Sequence, residues 1–401
     1  MMDFSGLKRR ALLSGAATLA APGLLRAQGR TIKVGVLGDY GGGRDLGGPG
    51  SAAAAQLAAD DAAQMWGMKN VQIVPGDHEN KPDVATSIAR KWLDQDGVDM
   101  ITDLSVSSVA LAVADLCAEK KKTVMVSGGA ISSLTGTHCS PFLTHWADDT
   151  YALSAGSARG LVHSGQRKWF FIVVDYTFGH AMLKQASAAV KEAGGQVVGS
   201  ATFPFRTTDF ASQLLQAQGS GADTVAFASS GSDTVNAVKQ AVEFGLKKSG
   251  QTLVGMLTFI TDVDAIGLPA AQGMVTTSQY YWDKNEPSRA FSRRFWAKMG
   301  RVPTKVQATT YACTLEYLRA AHKIGSADPL AISKEMRSAK IDYFGRPAFL
   351  RPDGRLIYDL DIYRVKTPEQ SKARWDYYTK IGTIPGKEAF TPFGEGGCHL
   401  T

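Results

Sequence analysis

Two serine-rich loops hold the most legible chemistry in this 401-residue chain. Ser105-Val106-Ser107-Ser108 follows the apolar run Met100–Leu104 and opens a helical pattern. Ser127-Gly128-Gly129-Ala130-Ile131-Ser132-Ser133 follows a second apolar run, Thr123–Val126. Hydroxyls and unpaired backbone N–H groups at helix starts suit a carboxylate, because the first turn presents donors and the positive end of the helix dipole. The same serines also make ordinary helix caps, so both uses stay open for each loop. A third loop is glycine-rich, running from Gly38-Asp39-Tyr40-Gly41 through Leu46 to Ser51. No G-x-G-x-x-G leads it tightly into a helix, and G-x-x-x-x-G-K-[ST] occurs nowhere in the chain. A backbone cradle for a group smaller than a nucleotide phosphate fits it better.

Catalytic patterns are missing. There is no G-x-S-x-G nucleophile elbow. The chain has seven histidines, and His78, His138, His145, His163 and His180 show neither H-E-x-x-H nor paired metal-ligand spacing. Asp39, Asp77 and Asp103 end strands, as catalytic carboxylates do, but no partner is evident in the sequence. The reading is a binding protein with no catalytic residue, no cofactor and no metal.

The positioning elements alternate strand and helix. Ile32–Leu37, Val71–Val74, Met100–Leu104 and Thr123–Val126 read as short buried strands. The helical stretches between them include Ser51–Met65 and a segment with Val84, Ile88 and Trp92 on one face. Asn80-Lys81-Pro82 reads as the start of that second helix, with Asn80 as its cap. After His145-Trp146 the pattern restarts with a helix near Thr150–Val162 and strand Trp169–Val174. Helix Ala181–Ala193, strand Gln196–Ser200, a helix capped by Thr208, strand Thr224–Ala228, helix Thr234–Phe244 and strands Leu253–Leu257 and Met274–Thr277 follow. Phe291–Met299 and Gln307–Ile324 read as helices, and Leu356–Val365 as an antiparallel strand after the turn Arg351-Pro352-Asp353-Gly354. Repeated βαβ units imply parallel sheets covered on both faces. Two sections, near 31–145 and 147–277, predict two doubly wound α/β lobes, with ligand held beyond the strands' carboxyl ends.

Hydrophobic residues make up 44% and charged residues 20%, ordinary for a globular chain of about two domains. The net charge of +7 is scattered; no basic stripe interleaved with aromatics argues for nucleic acid. Lys8-Arg9-Arg10, the apolar Ala11–Leu25 and Leu25-Arg26-Ala27 read as a signal peptide over 1–27, with an arginine pair like that of twin-arginine signals. Four cysteines in an oxidising compartment allow three full pairings. Cys117 and Cys313 fall in helical stretches as small buried groups. Cys139 and Cys398 fall in Gly/Pro-rich loops, where a bridge would tie down the C-terminal tail.

Taken in order, several motifs resemble the type I periplasmic binding proteins of ABC importers, and within those the branched-chain amino-acid-binding family. They are the strand–glycine loop–Ala helix start, Ser107-Ser108, Val126-Ser127-Gly128-Gly129-Ala130, Asp175-Tyr176-Thr177-Phe178-Gly179 and Asp209-Phe210. The resemblance spans about 30–390. It implies two Rossmann-like lobes joined by hinge strands: 28–145 with about 283–340, and 147–277 with about 345–390, crossing near 146, 280 and 343. It implies that Ser107, Ser108, Gly129 and Ala130 hold a ligand carboxylate, that Phe178 packs on the ligand, and that Ser230 and Asp262 lie in second-lobe ligand loops. Leu46 stands where amino-acid binders tend to carry an aromatic, and Ser229-Ser230-Gly231-Ser232-Asp233 lacks an expected tyrosine. Asp262 either meets a ligand ammonium or caps a helix. An aromatic acid is thus as good a match as a branched-chain or other hydrophobic amino acid, with Tyr40, Trp146, Phe178 and Phe259 as a flat apolar slot. His145, at the first crossing, either packs the hinge or reaches ligand. The implied partner is an inner-membrane ABC permease, the chain acting as a monomer in the periplasm. A ligand-sensing partner of a membrane receptor, or a hydrolase on this fold class, are the alternatives.

Overall fold

The structure, a computed structural model, describes residues 30–41 and 47–400. The signal peptide read at 1–27 and Leu46 lie outside the described residues.

Five strands form the first sheet: β1 (Ile32–Gly38), β2 (Val71–Asp77), β3 (Met100–Asp103), β4 (Thr123–Val126) and β5 (Leu143–His145). Their order is β2-β1-β3-β4-β5 and every pairing is parallel. β3 and β4 are buried at every position, which is why they read as unbroken apolar runs rather than alternations. One face packs Val34, Val36 and Met100 against Tyr317, Tyr343 and Tyr358. The other packs Leu37, Ile101 and Val124 against Trp92, Val109 and Val113.

The second sheet begins with β6 (Lys168–Val174), β7 (Gln196–Phe203), β8 (Thr224–Ala228), β9 (Thr252–Gly255) and β10 (Val275–Ser278), all parallel. A small sheet follows, of β11 (Ile341–Asp342), β12 (Pro347–Leu350) and β13 (Leu356–Ile357). Then β14 (Leu360–Val365) pairs antiparallel with β10, and β15 (Tyr378–Ile384) with β14, giving the order β15-β14-β10-β9-β8-β6-β7. Its core includes Trp169, Phe171, Phe203 and Phe227.

Three local readings are corrected. Asn80 is not a cap: Lys81 occupies that position with Pro82 in the first turn, and Asn80 sits at φ 58°. Phe210, not Thr208, precedes the Ala211–Gly219 helix, and Asp209 accepts from the Ala211 N–H at 2.9 Å. Leu356–Val365 is two strands, because the chain changes sheets at Tyr358-Asp359. Tyr343, Ala348, Leu350 and Leu356 pack with the first sheet's core, so the chain enters the second sheet at Leu360 rather than near 345. The bridge Cys139–Cys398 is present, with Cα atoms 5.7 Å apart, and Cys117 and Cys313 are buried and free.

Candidate functional site

The carboxyl ends of both parallel sheets face each other across a cleft. On the first lobe, β3 ends in two consecutive left-handed residues, Asp103 (φ 74°) and Leu104 (φ 56°). These turn the chain so that Ser105, Val106 and Ser107 face the gap. Ala130, from the loop after β4, joins them. On the second lobe, Tyr176 and Phe178 follow β6, Phe205 follows β7, Ser230 and Ser232 follow β8, and Leu257 follows β9. The space between them, counted with its opening to solvent, is about 500 Å³. It widens into a mouth lined by Glu79, Asn80, Lys81, Ser108 and Arg206. Glu79 (φ 52°), Asn80 (φ 58°) and Arg206 (φ 65°) are also left-handed. Strained backbone of this kind gathers at binding sites because the surrounding fold holds it.

Two kinds of surface meet here. The helices Ser107–Glu119, Thr177–Glu192 and Ser232–Glu243 start at the cleft, and none has a side-chain cap. Their first-turn N–H groups are left for whatever enters. The Ser105 hydroxyl is buried beside them, with no hydrogen-bond partner among the described residues. Opposite stands an aromatic wall. Tyr176 stacks on Phe178 with ring centres 6.1 Å apart, and Phe205 meets Tyr176 edge-on at 5.7 Å. Burial pushes the Tyr176 hydroxyl above its usual pKa, and the charge of Asp233 adds to this against a hydrogen bond with Ser230. The tyrosine therefore stays neutral.

Ser107, Ala130, Phe178 and Ser230 are thus brought together, with Ser108 at the mouth. Gly129 is near but turned away. Its carbonyl accepts from His145 Nε2 at 2.7 Å, and a Cβ there would come within 2.8 Å of Leu104 and Ala110. Asp262 does not line the cleft; its Oδ2 accepts from the Phe259 N–H at 2.9 Å, inside its own helix start. The slot of Tyr40, Trp146, Phe178 and Phe259 is not formed. Trp146 and Phe259 are core residues and Tyr40 is 39% exposed, so Tyr176 and Phe205 take their place beside Phe178. His145 is wholly buried, its Nε2 held by the Gly129 carbonyl, and does not line the cleft.

The reading from sequence missed Asn80, Tyr176, Phe205, Arg206, Ser232 and Leu257 as lining residues. Tyr176 and Leu257 sit just beyond apolar strands, a position that could have flagged them; nothing local marks Phe205 or Arg206. Among the described residues no His, Cys, Asp and Glu group could hold a metal ion, and no helix is long and apolar enough to cross a membrane.

Residues 31–373 match the profile of the periplasmic binding protein family. The chain belongs to the periplasmic binding protein family. Its members are substrate-binding proteins of transporters, not enzymes. A periplasmic binding protein from Burkholderia mallei is 39% identical with a TM-score of 0.87, over 92% of this chain and 99% of that one. A branched-chain amino acid ABC transporter periplasmic ligand-binding protein from Burkholderia xenovorans is 38% identical with a TM-score of 0.84, over 92% and 100%. The Leu/Ile/Val-binding protein homolog 6 of Brucella melitensis is 29% identical over 64% of this chain, and the match spans 66% of that relative's length. At the level of fold alone, a Rhodopseudomonas palustris solute-binding protein in complex with benzoate superposes with a TM-score of 0.82 at 20% identity, over 92% and 100%. The periplasmic binding protein architecture of two lobes around an interlobe cleft is therefore that of this chain, and its solved relatives share it nearly end to end.

Proposed function

We propose that this periplasmic binding protein captures a small aromatic carboxylate for an ABC importer. The single observation that carries the reading is the pairing of uncapped helix starts and the buried Ser105 hydroxyl with the Tyr176–Phe178–Phe205 wall. The first surface suits an anion and the second a flat apolar body. An α-amino acid also needs a carboxylate against its ammonium group. Among the described lining residues the only acid is Glu79, which is more than half exposed and pairs with Lys81 at 2.9 Å. The benzoate complex of the Rhodopseudomonas palustris protein supports the reading, since this fold accommodates such a ligand.

In the same reading residues 1–27 direct export, the twin-arginine route being one form of it. The monomeric mature chain closes about crossings at 146–149, 278–282 and 357–360 and docks on a permease. The test is a thermal-shift panel of benzoate, 4-hydroxybenzoate, leucine, isoleucine and succinate. A ligand at about 100 times its dissociation constant stabilises the fold by about 2.7 kcal/mol. Shifts with the benzoates alone support the proposal; shifts with leucine and isoleucine alone overturn it in favour of an amino-acid binder.

A further inference from the structure

The Asp103 carboxyl is fully buried where three loops of the first lobe meet. Gly38 ends β1 and Gly47 lies in the loop after it, Gly128 comes from the loop after β4, and Asp103 itself ends β3. A Cβ on any of these glycines would lie within 2.7 Å of the Asp103 oxygens, so the end of β1 with its following loop and the loop after β4 both close directly onto this one group. Its Oδ2 accepts from the Gly48 N–H at 3.0 Å, and Ser51 donates a further hydrogen bond to the carboxyl. The ring continues through buried hydroxyls. Thr310 donates to Ser51 at 3.3 Å, Thr310 and Ser127 share a bond of 2.8 Å, and the Asp103 N–H donates to Ser127 at 3.2 Å. Asp103 and Leu104, both left-handed, lead directly into Ser105 and Ser107 on the cleft wall.

We propose that Asp103 is the positioning residue of the first lobe's half of the cleft, setting the loops after β1, β3 and β4 in the arrangement that receives the ligand. The proposal rests on the cleft being the carboxylate site. Burial pushes this carboxyl up to about 8, against the bonds from Gly48 and Ser51 and with the charge of Asp39 adding to it. At neutral pH it is therefore a neutral acid. Its Oδ1, which has no partner among the described residues, is the oxygen left to carry the proton. The titratable groups around it are Asp39 and Tyr40 after β1, Asp77 at the end of β2 with His78 after it, and Cys313 on the Lys305–Ile324 helix. Burial holds His78 below its usual range, raises Tyr40, and pushes Cys313 to about 12.

The experiment compares wild type with Asp103→Asn and Asp103→Ala. The first arm needs no ligand. A buried acid whose pKa is raised on folding destabilises the fold progressively as pH climbs from about 4 to about 8. The melting temperature of Asp103→Asn should therefore gain on wild type between pH 5 and pH 9. In the same arm the Gly48 amide should exchange with solvent faster in Asp103→Ala. The second arm titrates benzoate. Wild-type affinity should fall about tenfold from pH 6.5 to pH 9, as a buried negative charge appears under an anionic ligand. Asp103→Asn should bind alike at both values, and Asp103→Ala should bind about tenfold more weakly at each. A constant melting-temperature gap between Asp103→Asn and wild type, or wild-type benzoate affinity that does not change with pH, overturns the proposal. If wild type does not bind benzoate at all, the ligand reading fails by itself and the first arm alone decides. If Asp103→Ala does not fold, the Asn variant decides in both arms.

Discussion

Gln185, on the second lobe, donates from Nε2 to the Ser132 hydroxyl of the first lobe at 2.7 Å. Ser132 lies two residues beyond Ala130 on the cleft wall, and Gln185 is on the helix whose start carries Phe178. The bond therefore joins the two lobes beside the cleft. A neutral hydrogen bond contributes about 0.5–1.5 kcal/mol net. If it forms only when the lobes are closed, that energy goes into ligand affinity, because the ligand selects the closed state. Gln185→Ala should weaken binding about two- to tenfold by calorimetry, with the loss in the dissociation rate measured by stopped flow. Unchanged affinity would mean that the bond persists in the open state.

The aromatic wall should dominate affinity. Phe178 is nearly buried against Tyr176, and removing a buried aromatic from a ligand contact costs about 1.5–3 kcal/mol. Phe178→Ala should therefore weaken aromatic carboxylate binding at least about tenfold, and more when combined with Ser108→Ala. Tyr176→Phe should change it less than about threefold, because that hydroxyl bonds Ser230 rather than facing the cleft alone. Full affinity in a folded Ser108→Ala, Phe178→Ala protein would show that the ligand sits elsewhere.

A buried ion pair joins the start of the Lys305–Ile324 helix to the segment after β5. Lys305 Nζ lies 2.7 Å from Asp148 Oδ2, with the side chains 2% and 4% exposed. Removing one partner of such a pair costs about 3–5 kcal/mol, whereas replacing both by apolar groups is often close to neutral. Lys305→Met should lower urea stability by about 3 kcal/mol or more, and adding Asp148→Leu should recover most of it. Equal losses in the single and double variants would argue against an uncompensated buried charge.

Asp361 gives a pH dependence of defined sign. Burial alone would raise its pKa, but the hydrogen bond from Lys380 and the charges of Arg346 and Lys284 overcome this and hold it at about 2. A carboxylate depressed on folding stabilises the protein above its unfolded pKa, and that contribution is lost as pH falls through the folded value. From an ordinary value near 3.8 the difference is roughly 2 kcal/mol. Asp361→Asn should lose at least about that much at pH 7 in urea titrations. The gap to wild type should narrow between pH 4 and pH 2; a gap that stays constant over that range would contradict the ion network.

Cys139–Cys398 joins positions 259 residues apart and holds the C-terminal tail against the first lobe. By the loop-entropy argument a bridge of this span contributes up to about 5 kcal/mol, against about 2–4 kcal/mol for a typical bridge. Cys139→Ser with Cys398→Ser should lower the melting temperature, and dithiothreitol should have the same effect on wild type but none on the variant.

The sequence by itself determined the class of the fold and which loops stand at the carboxyl ends of its strands. Parallel strands buried on both faces leave unbroken apolar runs such as Met100–Leu104 and Trp169–Val174, and the loop after each such strand must sit at the sheet's carboxyl edge. Ser107, Ala130, Phe178 and Ser230 were legible for that reason as residues lining the cleft, and so was the tail bridge between two loop cysteines. What the sequence left open is how side chains from different loops meet. Whether Phe205 or Phe259 faces the ligand depends on the relative placement of loops tens of residues apart, which no local period encodes. Asp262 reads equally as an ammonium partner or a helix cap until the Phe259 N–H is seen to occupy it. Asp103 looks like an isolated strand-end acid, because the glycines and hydroxyls that enclose it come from four separate segments. Only tertiary packing brings those together, since the burial that sets a carboxyl's charge and role comes from all of its neighbours at once.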